Sequence, residues 1–468
     1  MTTKQTIGYL PDEQPPIWQL VLYSLQQVVV MFPATVAVAL ITNFHISTTI
    51  FASGLATLCF ILVTGRKIPL YYGSSFSYVA AIGSLMASEN LAASTLNEKI
   101  AIAQFGIIMS GFVSIAAGLV IRQFGAKTIE NILPATVTGP IAMVIGLTLA
   151  GLAISDICSS TAARAVPAGS EAMLMNLAWT VGLVTLLATI LFSVYLKGVW
   201  GQLPLLLGPA VGCLTALLIS ILTGVNLFRV LPENPEVVTS GLAAATNGLF
   251  ALPIFTLPKP TLFAVIAIMP IAIATIPEST AHIYQLDIYV NDLAKRKGSK
   301  KEYKLADKLG LNLIGDGIGD MVSGFVGGPA GTNYGENISA MAITKVFSIP
   351  VLIGAAIISM VIACFTPLIN GIYSLPQAVI GGLEVFLFGA IAAQGIAIMI
   401  ERKVDMFSAK NIAVIAVIMT IGVGGNYAFE GNIPFFGVDI PCVSGAAIFG
   451  ILLNLLLSIG EKKEKAQK

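Results

Sequence analysis

Charge is what this 468-residue chain has least of: Asp, Glu, Lys and Arg make up 10% of it, against about 25% in a soluble domain. Apolar residues reach 56% and the mean hydropathy is +0.88. That excludes a water-soluble globular protein and leaves a polytopic membrane protein. Histidine is nearly absent, His45 and His282 being the two copies. The five cysteines (Cys59, Cys158, Cys213, Cys364 and Cys442) are scattered, with no pair at metal-binding spacing. They read as small hydrophobes rather than ligands. The sequence holds no metal motif, nucleophile constellation or cofactor fingerprint, which argues against a membrane enzyme and calls for no cofactor. A net charge of +1 gives no basis for a nucleic-acid partner. Residues 1–18 are polar, without the apolar stretch of a cleaved signal peptide, so the first span is expected to direct insertion.

What is present is apolar sequence in span-length pieces. These predict an all-α fold of 14 transmembrane segments. In the first half they fall at 17–41, 48–65, 71–88, 99–121, 134–154, 173–196 and 203–223. In the second they fall at 261–285, 309–327, 332–346, 348–368, 374–400, 411–426 and 443–459. With both termini cytoplasmic, 21 of the 25 Lys and Arg lie inside, and Lys99, Arg164, Arg229 and Lys259 lie outside. The inside set includes Lys4, Lys127, Lys468 and the basic run at 291–304, which reads as a cytoplasmic loop. The stretches 155–172 and 224–260 read as extracellular loops. The expected location is the cell membrane, with lipid as a surrounding partner.

Seven is odd, so the second set of seven starts on the opposite face, and residues 1–230 and 255–468 form an inverted repeat. The third segment of each half is anomalous: IPLYYGSSFSYVAAI at 68–82 and GPAGTNYGENISAMAI at 328–343. Each has an extended Gly- and Ser/Thr-bearing piece, then a helix start. Two such pieces can pair as antiparallel strands at the bilayer midplane and satisfy each other's backbone groups. The helices after them would aim free amides at whatever lies there.

Two carboxylates sit in these apolar surroundings. Glu278 follows Pro277 in IAIATIPESTAHI, and Glu336 sits in YGENI, each beside a Pro or Gly at which a continuous helix is expected to break. An acid at membrane depth costs roughly 2.5–3.5 kcal/mol even on lenient scales, so it is paired, protonated or working. His282 is four residues beyond Glu278, on the same helix face. The pair either fastens two helices or contacts substrate and relays protons, and the second reading is preferred. Glu336 either caps a helix or binds; the matching break in the other half favours binding. Asp316 and Asp320 read as interfacial and solvated, with a gate role as the other choice. Glu384 is left between snorkelling, facing another subunit and joining an ion path. His45 reads as a surface residue.

These residues resemble the nucleobase–ascorbate transporter family, over essentially the whole chain. NYGENISAMAITKV is similar to the family signature at Glu336, Asn337, Thr344 and Lys345, with Ser339 at a usual Gly position. KIPLYYGSSFSY, the Glu278–His282 spacing and LYSLQQVVVMFPATV also resemble family segments. Gln27 stands where uracil-carrying members often have His. The resemblance implies a core domain of segments 1–4 and 8–11 and a gate domain of segments 5–7 and 12–14, often a homodimer contact. It implies a nucleobase bound between the strands of segments 3 and 10. There Glu278 and Glu336 would accept from ring N–H groups and the amides of Phe76 and Gly335 would meet a carbonyl. Tyr334 and Phe76 would pack on the ring, with Ser75 beside them. It implies that His282 couples the protonation of Glu278, and that H+ rather than Na+ is the coupled cation. Members with Gln at the Glu336 position tend to take xanthine or urate, so Glu leans toward uracil; a purine carrier is the alternative.

Overall fold

The computed structural model describes residues 8–88, 91–125, 133–159, 171–197, 200–229, 242, 245–436 and 438–467. Lys4, Lys127, Arg164, Lys468 and much of the two expected extracellular loops lie outside these residues.

The first half runs α1 (Ile17–Thr42), α2 (Ile46–Val63), β1 (Tyr72–Ser74), a 3-10 turn at Phe76–Tyr78 and α3 (Val79–Ala87). It continues with α4 (Leu96–Phe124), α5 (Ala135–Cys158), α6 (Glu171–Tyr195) and α7 (Pro204–Thr223). The second half opens with α8 (Leu262–Ile268), a 3-10 turn at Met269–Ile271 and α9 (Ala272–Arg296). Then come α10 (Leu309–Val326), β2 (Gly331–Asn333), α11 (Gly335–Thr344), α12 (Ile349–Ala363), α13 (Thr366–Tyr373) and α14 (Gln377–Glu401). The chain closes with α15 (Ala409–Met419), a π turn at Thr420–Gly424, α16 (Gly425–Phe429), the hairpin β3 (Asn432–Phe435) and β4 (Val438–Pro441), and α17 (Cys442–Gln467).

Among the described residues, 10 helical segments are long and apolar enough to cross a membrane. The other expected crossings fall on Phe76–Ala87, α10, α11 and α12, which are shorter or more polar. For Phe76–Ala87 and α11 the shortening has a cause: β1 and β2 occupy the length that a helix would otherwise span.

The two halves pack in the same pattern. α2 lies on α12 as α4 lies on α10, α1 on α12 as α8 on α4, and α6 on α7 as α15 on α17. α5 and α14, at matching places in the two halves, pack on each other. β1 and β2 pair antiparallel, Tyr72 opposite Asn333, Gly73 opposite Thr332 and Ser74 opposite Gly331. Antiparallel pairing of matching elements is what a two-fold axis between inverted repeats produces. Small residues let the helices meet backbone to backbone, the mode that works without a hydrophobic drive between them. A β-carbon at Gly111 in α4 would stand 2.4 Å from the Gly317 carbonyl oxygen of α10; one at Gly146 in α5 would stand 2.4 Å from that of Phe388 in α14.

Several expectations need correction. The helix break expected at Pro277 lies at Pro270, and α9 runs through Pro277. His45 is buried, and its Nε2 donates to Asn97 Oδ1 at 2.7 Å. Asp316 and Asp320 are not solvated at an interface but buried midway along α10. Glu384 is buried too, at 1% exposure, so it does not snorkel. The β3–β4 hairpin was not anticipated.

Candidate functional site

The strand crossing is held from behind by α2 and α10. Ser53 and Thr57 of α2 donate to the Tyr72 carbonyl at 2.8 and 3.1 Å. Asp320 of α10 joins the two strands through a single oxygen: its Oδ1 accepts from the Tyr72 hydroxyl at 2.5 Å and from the Gly331 amide at 2.8 Å. A buried carboxyl oxygen that accepts two bonds, one from each strand's side, is a local tie that is costly to leave unmade. Asp316, one turn earlier, accepts from Asn333 Nδ2 at 3.1 Å. The ladder extends past the strands through Ser75 N to Ala330 O at 2.9 Å and Tyr334 N to Tyr71 O at 3.0 Å. These ties fix two helix starts beside each other, the 3-10 turn at Phe76 and α11 at Gly335. First-turn amides have no partner inside their own helix, and no side chain caps α11.

A cavity of about 370 Å3 opens at these helix starts. All seven residues singled out in the sequence line it: Ser75, Phe76, Glu278, His282, Tyr334, Gly335 and Glu336. Their roles are separate questions, but their convergence is a fact of the fold. Glu278 and Glu336 are half-buried and close enough to interact electrostatically. Ser77 lies beside the Glu278 carboxyl. Glu336 occupies the first turn of α11, where the helix dipole favours a negative charge. His282 lies on the same face of α9 as Glu278. Its ring lies beside the Asn333 main chain, its Nε2 sits where a side chain at Gly335 would begin, and its Nδ1 has no partner among the described residues. Tyr334 is 4% exposed, and its hydroxyl donates to the Ser74 carbonyl at 2.9 Å and lies 3.0 Å from Thr35 Oγ1. Much of that ring is therefore engaged with the strands, whereas Phe76 is only half-buried and packs against both large apolar clusters.

The opposite wall comes from α5 and α14, with Thr138, Ile145, Leu387 and Gln394 among its residues. The sequence reading missed Thr138 and Gln394. Gln394 is a lone amide in the apolar run AIAAQGIAIM, the same signal that identified Glu278. Gln27, the departure from the family pattern, is buried and accepts from Asn337 Nδ2 through Oε1 at 2.8 Å. Among the described residues, no group of three or more His, Cys, Asp or Glu is placed to hold a metal ion.

The arrangement offers two acceptor carboxylates, two sets of helix-start amides and an apolar rim at the fold's midplane. A family model described as "Permease family" matches residues 18–431. The chain is 34% identical to a uracil permease of Bacillus caldolyticus over 95% of this chain and 94% of that one. It is 32% identical to the uracil permease of Bacillus subtilis (strain 168), covering 99% and 98%. It is also 32% identical to the putative pyrimidine permease RutG of Escherichia coli (strain K12), covering 96% and 91%. Among solved structures, the transmembrane domain of the cyanobacterial bicarbonate transporter BicA aligns with a TM-score of 0.58 at 16% identity, over 90% of this chain and 98% of that one. SLC26A9 aligns with a TM-score of 0.61 at 13% identity, over 95% of this chain and 66% of that one. These two likenesses concern the fold alone. The chain belongs to the permease family of nucleobase–ascorbate transporters, and it is a multi-pass membrane transporter rather than an enzyme.

Proposed function

We propose that this member of the permease family carries uracil across the cell membrane together with protons. The observation that carries the reading is the convergence of Glu278 and Glu336 with the helix starts at Phe76 and Gly335 in one cavity. Uracil is flat and neutral, with two ring N–H donors and two carbonyl acceptors. Two carboxylates complement the donors, and amides at the helix starts complement the acceptors. Relatives described as uracil permeases, matched nearly end to end, support the same substrate. A bound anion would face two acids here, which argues against a substrate like that of the bicarbonate carrier.

A neutral base gains nothing from the membrane potential, so its accumulation needs a coupled cation. Glu278 with His282 one helical turn away is a pair suited to a proton. In this reading Glu278 binds the base and the proton together, while His282, set beside the Asn333 main chain, holds the carboxyl in place. The charge map supports a cytoplasmic location for both termini. α5 and α14 belong to the gate that moves against the strand-bearing core.

The test is uptake of radiolabelled uracil into proteoliposomes under an imposed pH gradient, with excess unlabelled xanthine in parallel. Uptake is expected to collapse with the gradient and to ignore xanthine. Glu278→Ala and Glu336→Ala are expected to abolish it with the protein still in the membrane, and Glu278→Gln to bind uracil without accumulating it. Entry of xanthine in place of uracil would overturn the substrate; normal uptake by either alanine variant would overturn the site.

A further inference from the structure

A second pair of carboxyl groups lies outside the cavity. Asp156 is in the last turn of α5, and Glu384 is two turns into α14. These are the two helices that form the cavity's far wall. They meet closely here: a β-carbon at Gly381, one turn before Glu384, would stand 2.2 Å from the Ile157 nitrogen. The Asp156 and Glu384 carboxyls lie beside each other across this seam. Glu384 is 1% exposed, and neither of its oxygens receives a hydrogen bond from a donor among the described residues. Its other side faces an apolar cavity between α1, α7, α13 and α14, lined by such residues as Phe32, Leu206, Cys213 and Leu383. Among the described residues that line this cavity, none offers Glu384 a hydrogen bond.

Two ionised carboxylates cannot share such a contact; one proton between them turns repulsion into a hydrogen bond. The surrounding charges agree. Among the described residues the cation near Asp156 is Arg229, on the segment after α7, with Tyr373 of α13 beside Arg229 and Gln377 of α14 beside Asp156. Among the described residues one arginine balances one carboxylate, so this group is neutral only when the second carboxyl is protonated. The arginine also removes the need for a metal cation. Asp156 is half-exposed, at the helix end that the charge map assigns to the outside, so a proton can enter through it.

We propose that Asp156 and Glu384 hold one proton between them, a proton-binding site separate from the cavity at the strand crossing. The shared proton clasps α5 to α14. Its loss sets two like charges against each other at the helix seam that forms the cavity's far wall. Exchange through the cavity then slows as the outer pH rises, whatever the proton gradient. This slowing rests on the transport reading; the proton itself does not.

The experiment has two arms. Infrared spectra of the reconstituted full chain, wild type minus Glu384→Gln, should show a carboxylic-acid C=O band at neutral pH that disappears at alkaline pH. Counterflow of labelled uracil, with pH equal on both sides, should fall about fivefold or more toward alkaline pH in the wild type, the size of ordinary linkage between sites. Glu384→Gln should flatten that fall, because its amide donates permanently to Asp156. Asp156→Asn is the second variant and should flatten it too. A difference spectrum without the band would overturn the shared proton. A band with unchanged pH profiles in both variants would overturn its link to transport. Wild-type protein that shows the band but no uracil exchange would overturn the transport reading alone.

Discussion

The ring of Tyr334 fills the space where a side chain at Gly73 would begin: a β-carbon there would stand 2.3 Å from Cζ and 2.4 Å from Cε2 of that ring. The strand pair and the residue before α11 are thus locked face to face across the repeat. Gly73→Ala must push the ring or the strand aside. Overpacking of this kind costs about 1–3 kcal/mol, and here the displaced atoms hold Ser74 and the start of α11. The expected outcome is full-length protein in the membrane with uracil uptake reduced at least about tenfold, measured alongside thermal unfolding in detergent. Uptake near the wild-type level would mean that the Tyr334 position does not matter to the site.

Asn337, from the stretch that resembles the family signature, spends its amide on Gln27, donating to the side-chain oxygen at 2.8 Å and to the main-chain carbonyl at 3.0 Å. Gln27→Ala removes the first bond and leaves the second, a loss of about 1 kcal/mol, so a modest fall in Tm and in uptake is expected. Gln27→His restores an acceptor but adds a group that titrates near neutrality. Its uptake should match the wild type at alkaline pH and weaken as the ring protonates, because an imidazolium cannot accept from Asn337. A flat ratio of variant to wild type across that pH range would sink this account of position 27.

Much of the site could be read from the chain because the bilayer makes polar groups expensive, so each one in an apolar run is a signal. Glu278, His282 and Glu336 stood out that way and line one cavity. The strand pair was legible from two matched Gly- and Ser/Thr-bearing breaks. Asp320 misled the reading for an identifiable reason: its partners, the Tyr72 hydroxyl and the Gly331 amide, come from the other repeat and from the far end of the following loop. Nothing adjacent to GDGIGDMVSG announces them. Pro277 was over-read, since α9 keeps its course through it; α8 and α9 part at Pro270 instead. The pairing of Asp156 with Glu384 joins residues that only the packing of α5 on α14 brings together.

The segment before α1 makes a strap across the face that the charge map assigns to the cytoplasm. Tyr9 exchanges backbone hydrogen bonds with Lys345 and Phe347, each at 2.8 Å. Lys297 meets Glu13 at 2.5 Å, Lys301 meets Asp12 at 2.7 Å, and the Tyr303 hydroxyl donates to Asp12. Partial burial pushes the Asp12 carboxyl up, but the bonds from Lys301 and Tyr303 outweigh it and hold it below the usual value of 3.8. A carboxyl depressed in the folded state stabilises fully above its unfolded pKa and loses that contribution as pH falls through the folded one. The contribution of Asp12 to the strap is therefore fully present at neutral pH and is lost only in acid below about 3.8. Lys301 and Asp12 are 56% and 53% exposed, so their ion pair contributes no more than about 1 kcal/mol and weakens with salt. Asp12→Asn should lower Tm slightly at neutral pH and low salt, and not at all at a pH well under 3.8. It should leave the neutral-range pH profile of uptake unchanged. A variant whose uptake profile shifts near neutrality would place the strap among the pH-sensing parts and take that role from the two carboxyl sites.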